Sequence, residues 1–299
     1  MNWVLLALLA PAVFTIVNFI DKYLVSDAVK DYKAMPIYGT IVGLVGGTII
    51  WLASGFPTLD PRSAAIVLFT GMLTIWGVPL YFKVMAKEET TTVIILLQTI
   101  PVMSLILSYF LLNETITVKQ FIGFTIILFS AATASVNSSK GKLFSISSSF
   151  ALTLIYCFMW ALASVLIKFA FEANTFSVIL SYESWGLGLG GIILFVLFPS
   201  IRNAFLKNVK KVKKPALSFI FANEVIFVLA KGITFLAYSL GPVALVSVLG
   251  GTQVFFGLIY GFILTTLFPK LFKEDISKKT LIRKSALACL VVIGIILIS

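Results

Sequence analysis

Thr91-Thr-Val-Ile-Ile-Leu-Leu-Gln-Thr-Ile-Pro-Val-Met-Ser-Leu-Ile-Leu-Ser-Tyr-Phe-Leu-Leu112 carries no charged residue. As an α-helix it is about 33 Å long, enough to cross the hydrocarbon core of a bilayer. A membrane barrel strand would alternate apolar and polar residues over about ten positions. The runs Ile94–Leu97 and Leu105–Leu112 do not alternate. Lipid cannot satisfy backbone N–H and C=O groups, so a segment of this kind spans as a helix.

Similar segments recur on both sides. The expected spans are 2–21, 34–53, 63–86 and 91–112, then 117–137, 147–171 and 176–199, and finally 216–240, 242–268 and 280–299. The whole chain agrees with this: of 299 residues 60% are hydrophobic, 12% are charged, and the mean hydropathy is +1.07. A soluble domain is about 25% charged. Ten spans of about 21 residues leave about ten residues for each connection, too few for a soluble catalytic domain. The expected fold is therefore all-α and polytopic. The first apolar run lacks a basic leader and is read as a retained helix, not a cleaved signal.

The ten spans divide into two related sets, 1–140 and 141–299. Gly46-Gly47 in the second span has a counterpart in Gly190-Gly191 of the seventh, and Lys22 and Lys168 end the first and sixth. The turns Glu88-Glu89 and Gly241-Pro242 precede the fourth and ninth, and a polar linker, Asn137–Lys142, joins the sets. Five spans per set is an odd number, so the second set is inverted in the membrane. That is the plan of secondary transporters, with a site near the midplane between the halves.

The net charge of +11 comes from residues between spans, which set topology, so nucleic acid is not an expected partner. One side gathers 19 lysines and arginines, including Lys207–Lys214 and Lys270–Lys284. The other has Arg62, Lys119 and Lys168. The basic side is expected in the cytoplasm of a plasma (inner) membrane, with both termini outside. The run Lys207–Lys214 is either a solvated loop or a contact with anionic lipid.

Charges within spans cost several kcal/mol and mark function. Glu183 lies in the seventh span, Glu224 and Lys231 in the eighth. Glu224 and Lys231 are about 10 Å apart along one helix. Counted from the same membrane face, Glu183 and Lys231 differ in depth by about 3 Å. The expected pair is therefore Glu183–Lys231, with Glu224 free to bind a proton or substrate; the competing reading is a purely structural ion pair. Trp76, Tyr81, Gln98, Trp160 and Gln253 are further candidate contacts. Pro79 beside Trp76 would kink its helix. Asn18 and Asp21 read as interhelical hydrogen bonds. The motifs Gly39-xxx-Gly43-xxx-Gly47, Gly186-xxx-Gly190 and Gly257-xxx-Gly261 read as close helix packing.

No cofactor, metal ion or catalytic residue is called for. The chain has no histidine, and Cys157 and Cys289 both lie in apolar segments, away from any zinc or disulfide pattern. A nucleophile elbow is missing as well. An intramembrane Ser–Lys dyad stays open as a remote enzymatic alternative, as does a structural scaffold.

Thr90–Gln98 leading to Pro101, then Leu111-Leu-Asn-Glu-Thr-Ile116, Gln120 and Gly123, resembles the drug/metabolite transporter superfamily, and within it the EamA-type ten-helix carriers. The second half is similar around Gly241–Ser247. It departs afterwards, with Gln253 where a proline would align and Glu274 displaced by the stretch Leu267–Lys273. The resemblance implies a cavity lined by the first, third, fourth, sixth, eighth and ninth spans, with the fifth and tenth peripheral. It also implies cytoplasmic termini, against the charge count. The resulting expectation is a secondary carrier of a small metabolite (amino acid, amine or similar), driven by protons or exchange. The alternative is a flippase or exporter of an amphipathic or lipid-linked substrate. Membrane lipids are partners in either case, and the oligomeric state is open.

Overall fold

The structure is a computed structural model that describes residues 2–29, 31–112, 117–134, 148–171, 174–240, 246 and 249–298. The predicted linker Asn137–Lys142, the segment Asn113–Ile116 and the turn Gly241-Pro242 lie outside the described residues. Twelve α-helices are described, with a short π-helical turn at Leu24–Ala28 and a 3-10 turn at Tyr32–Ala34, and, among the described residues, no strand. They are α1 (Trp3–Tyr23), α2 (Met35–Ala53), α3 (Pro61–Met85), α4 (Thr90–Leu97), α5 (Ile100–Leu112) and α6 (Val118–Ala134). The second half contributes α7 (Ser148–Phe171), α8 (Phe176–Leu197), α9 (Pro199–Lys211), α10 (Lys214–Leu240), α11 (Gln253–Leu267) and α12 (Lys278–Ile298). Among the described residues eight segments, α4 and α5 counting as one, are long and apolar enough to cross a membrane; α11 and the Val118–Ser130 part of α6 are shorter apolar helices.

Most described helices begin and end within a few residues of the expected spans; the ninth, expected over 242–268, is described as a long helix only over Gln253–Leu267. The fourth span is not one continuous helix but breaks at Gln98-Thr99, where the backbone bonds tighten to Gln98 N–Ile95 O (3.2 Å) and Thr99 N–Leu96 O (3.1 Å). Pro101 has no N–H to return to Leu97, which frees a carbonyl there. The Cys157 sulfur lies 4.0 Å from the Leu96 and Leu97 carbonyl oxygens. The basic run after the seventh span is not a loop but the amphipathic helix α9. It buries Ile201, Ala204 and Asn208 and exposes Leu206, Val209 and its lysines. The Tyr38 hydroxyl donates to Asn208 Oδ1 at 2.7 Å, fixing α9 against α2.

Glycines govern the packing of α8. α2 and α3 both pack along it, α3 also packs on α7, α1 on α10, α4 on α11, and α6 on α12. A Cβ on Gly71 would meet the Glu183 carbonyl oxygen at 2.1 Å, and one on Gly186 would meet that of Leu68 at 2.2 Å. α3 and α8 thus touch backbone to backbone, as small-residue motifs permit. Gly43 and Gly47 of α2 and Gly190 of α8 meet backbone in the same way, whereas Gly39 faces the side chains of Glu224 and Ile75, and Gly257 and Gly261 press on Ile94 and Thr91 of α4.

One end of the bundle is tied by polar contacts. Lys22 donates to the Met85 and Glu88 carbonyls at 2.8 and 2.7 Å, satisfying acceptors left at the end of α3. Glu274 accepts from the Thr90 backbone N–H at 2.6 Å and the Thr91 hydroxyl at 2.6 Å, capping the start of α4. Lys284 bridges Glu274, at 3.0 Å, and Glu89. Burial alone would raise the Glu274 carboxyl, but Lys284 and Thr91 outweigh it and hold the group below its ordinary pKa.

Candidate functional site

A cavity of about 240 Å³ sits at the centre of the bundle. It reaches from the level of Asp21 and Tyr81 toward Ala7, Tyr238 and Val246, away from the tied end. Lining residues come from the six expected spans and also from α2 (Met35, Pro36, Gly39) and α8 (Glu183, Leu187); α6 and α12 supply none.

Glu183 and Lys231 form the pair that depth counting anticipates. The Lys231 ammonium donates to both Glu183 carboxylate oxygens, at 2.7 and 2.8 Å, with both side chains at least 95% buried. A bidentate, desolvated pair of this kind is strong only while both partners are present. Its position follows from Gly71 and Gly186, whose missing side chains let the Glu183 turn of α8 settle on α3. The ammonium also lies 5.1 Å from the centre of the Phe227 ring.

Glu224, about two turns from Lys231 on the same face of α10, lines the cavity, half-buried, with Gly39 of α2 against its carboxylate. Among the described residues it has no hydrogen bond and no ion pair. A larger residue at position 39 would push into the space that this carboxylate occupies: a Cβ there would be 3.1 Å from Oε2.

Below it a polar network joins four helices. Gln253 donates to Asn18 at 2.8 Å, Asn18 to the Tyr81 hydroxyl at 2.7 Å, and that hydroxyl to Asp21 at 2.9 Å. Asn223 donates to the other Asp21 oxygen at 2.7 Å. Asp21 is thus a buried carboxylate held by neutral donors, and Asn223 Oδ1 is left buried with no partner among the described residues. Tyr81 and Gln253, predicted as pocket contacts, belong to this network. Gln98 lines the cavity, but its amide N–H turns back to the Ile94 carbonyl at 3.1 Å.

Trp160 also lines the cavity, in a triangle of edge-on rings. Phe14–Trp160, Phe14–Phe227 and Trp160–Phe227 have centroids 6.3, 5.8 and 6.2 Å apart. Trp76 alone among the predicted contacts lies away from the cavity. Its indole N–H donates to the Gly190 carbonyl at 3.0 Å, across the α3–α8 seam. Sequence reasoning passed over Asp21 as a helix-end hydrogen bonder and missed Asn223 entirely. The signal for Asn223 was its place beside Glu224; for Asp21 it was a second polar residue one turn from Asn18.

A solved structure, "Crystal structure of protein", shares the fold over 98% of this chain and 99% of its own, with TM-score 0.60 and 14% identity. No curated protein matches the chain. The family model of EamA-like transporters matches residues 1–136. With its many apolar spans the chain is an integral membrane protein, and the EamA-like family that its residues 1–136 match belongs to the drug/metabolite transporter superfamily.

Proposed function

We propose that the chain is a secondary carrier that moves a small metabolite by alternating access around the central cavity, with Glu224 as the carboxylate that takes substrate or proton. The observation that carries this reading is Glu224 itself, a carboxylate lining a membrane-depth cavity without a hydrogen bond or ion pair among the described residues. Intramembrane carboxylates facing cavities are the usual seats of substrate and proton. Tyr81, Gln98, Trp160 and Gln253 complete the site on this reading, with the Glu183–Lys231 pair as the charged wall beside Glu224.

The helix contacts support two inverted five-span halves, 1–140 and 141–299. α1 lies on α10 as α7 lies on α3, while α2–α8, α4–α11 and α6–α12 pair counterpart with counterpart. Rocking of such halves is the usual route to alternating access. The lysine-rich end is the cytoplasmic one by charge, in a plasma membrane, so the cavity faces outward in this state. α9 rests on anionic lipid there, each exposed lysine contributing about 1 kcal/mol.

The polar floor and three lining carboxyl groups favour a small solute over a lipid. Lys231, the lysine of any Ser–Lys dyad, is engaged by Glu183, so nothing here supports the enzymatic reading. The test is uptake into proteoliposomes of labelled amino acids, amines, nucleosides and sugar phosphates, with and without a pH gradient. One class should enter wild-type vesicles and not Glu224→Gln vesicles. Binding in the cavity with no class transported contradicts the carrier reading.

A further inference from the structure

The charge on the cavity wall is lopsided. Among the described lining residues the acidic groups are Asp21, Glu183 and Glu224, and the basic group is Lys231. Lys231 is matched by Glu183, which holds it from both oxygens. Asp21 accepts from Tyr81 and Asn223, both neutral. Among the described residues Glu224 has neither hydrogen bond nor ion pair, so the wall carries a surplus of acceptors over donors.

Two independent features lie against this surplus. Asn223 lines the cavity, and among the described residues its buried Oδ1 has no donor; its amide is oriented by the bond from Nδ2 to Asp21, which leaves the oxygen as the orphan. A buried acceptor without a donor costs about 1–3 kcal/mol, so it gains from any ligand that brings an N–H. The second feature is the ring triangle of Phe14, Trp160 and Phe227, all three lining the cavity. Aromatic faces attract cations, most strongly when water is excluded.

We infer that the cavity selects an organic ammonium ion, its N–H groups donated to Glu224 and Asn223 Oδ1 and its apolar body held by Phe14, Trp160 and Phe227. This deepens the carrier reading, which places the substrate in this cavity. An organic anion meets carboxylates it cannot pair with, and a neutral alcohol leaves Glu224 uncompensated. A quaternary ammonium keeps the ring contacts but leaves Asn223 Oδ1 unpaired. The ammonium supplies charge, donors and apolar surface together.

The experiment measures binding, not transport. The purified full chain is titrated calorimetrically, and its melting followed, with four ligands on one skeleton: 2-phenylethylamine, its trimethylammonium analogue, 2-phenylethanol and 3-phenylpropanoate. The amine should bind saturably, the alcohol and the acid at least about tenfold more weakly, and the quaternary ion between them. Glu224→Gln should abolish amine binding while the unliganded melting temperature stays close to wild type. Phe227→Leu, a second variant for the case in which Glu224→Gln does not fold, should weaken the amine severalfold, a loss of the size cation–π contacts supply. Acid binding as tight as amine binding, no amine binding at all, or amine binding unchanged in a folded variant overturns the inference. Transport of another solute class in the proteoliposome assay removes the ammonium site and leaves the carrier. Amine binding lost in Glu224→Gln, with no transport of any class, removes the carrier and leaves the site.

Discussion

The three charges at membrane depth separate two roles, locking and binding. Glu183 and Lys231 neutralise one another in a desolvated bidentate pair, so neither is available to a ligand without breaking the other's bonds. Removing one partner strands a buried charge. Lys231→Met should therefore destabilise the protein by about 3–5 kcal/mol, and Glu183→Gln in the same chain should restore most of it. Melting of the three variants checks this; a double variant no more stable than Lys231→Met contradicts the pairing. The pair was legible because depth in a helix is a count of residues. Asp21 was not, because its count places it near a helix end, where polar residues are ordinary; only the fold brings Tyr81 and Asn223 onto it. Trp76 misled for the reverse reason. Its neighbour Pro79 suggested an opened helix, but the indole N–H is already bonded to Gly190.

Helices meet by what their small residues leave out. Within the adjacent glycines of α2 the structure distinguishes two positions that look alike in sequence. A Cβ at Gly46 meets nothing within 4 Å, whereas at Gly47 it meets the Ser181 carbonyl oxygen and the Trp185 ring at 2.8 Å. Gly47→Ala should cost about 1–3 kcal/mol, as over-packing does, and Gly46→Ala should be neutral or stabilising. Equal melting temperatures for the two would contradict the α2–α8 contact. The GxxxG spacing made the packing legible but not which glycine is pressed.

α9 was harder to read because its lysines dominate the composition and hide three buried positions, Ile201, Ala204 and Asn208. The break at Gln98-Thr99 left only Pro101 as its mark, and a proline by itself does not separate a kink from a break. Before α12, the Thr280 hydroxyl donates to Asp275 at 2.5 Å and its carboxyl is held down at about 2. A depressed carboxyl stabilises fully above its unfolded pKa, near 4, and loses that as the pH falls through about 2. An NMR titration of Asp275 should show this low midpoint, and Thr280→Val should return it toward 4.

At the scale of the molecule, the cavity and the tied end are two parts of one state. Lys22, Lys284 and Glu274 draw α1, α3, α4 and α12 together at the lysine-rich end, and the cavity extends away from it. A carrier must release those ties to expose the cavity at the other face. Sequence made the spans, the sidedness of the charges and the glycine seams readable. The cavity was legible only through the resemblance, because its lining comes from eight spans that no local pattern connects.

Two-sided access is thus the measurement that bears most directly on the account. Ser164 lines the cavity and is half-buried, its hydroxyl turned back to the Trp160 carbonyl. Ser164→Cys, in a chain with Cys157→Ala and Cys289→Ser, can be exposed to a membrane-impermeant thiol reagent added to one face of oriented vesicles and then to the other. Labelling from both faces, slower from the lysine-rich face and accelerated there by Lys284→Ala, is the predicted result. Labelling from one face only, with Lys284→Ala changing nothing, contradicts alternating access through this cavity.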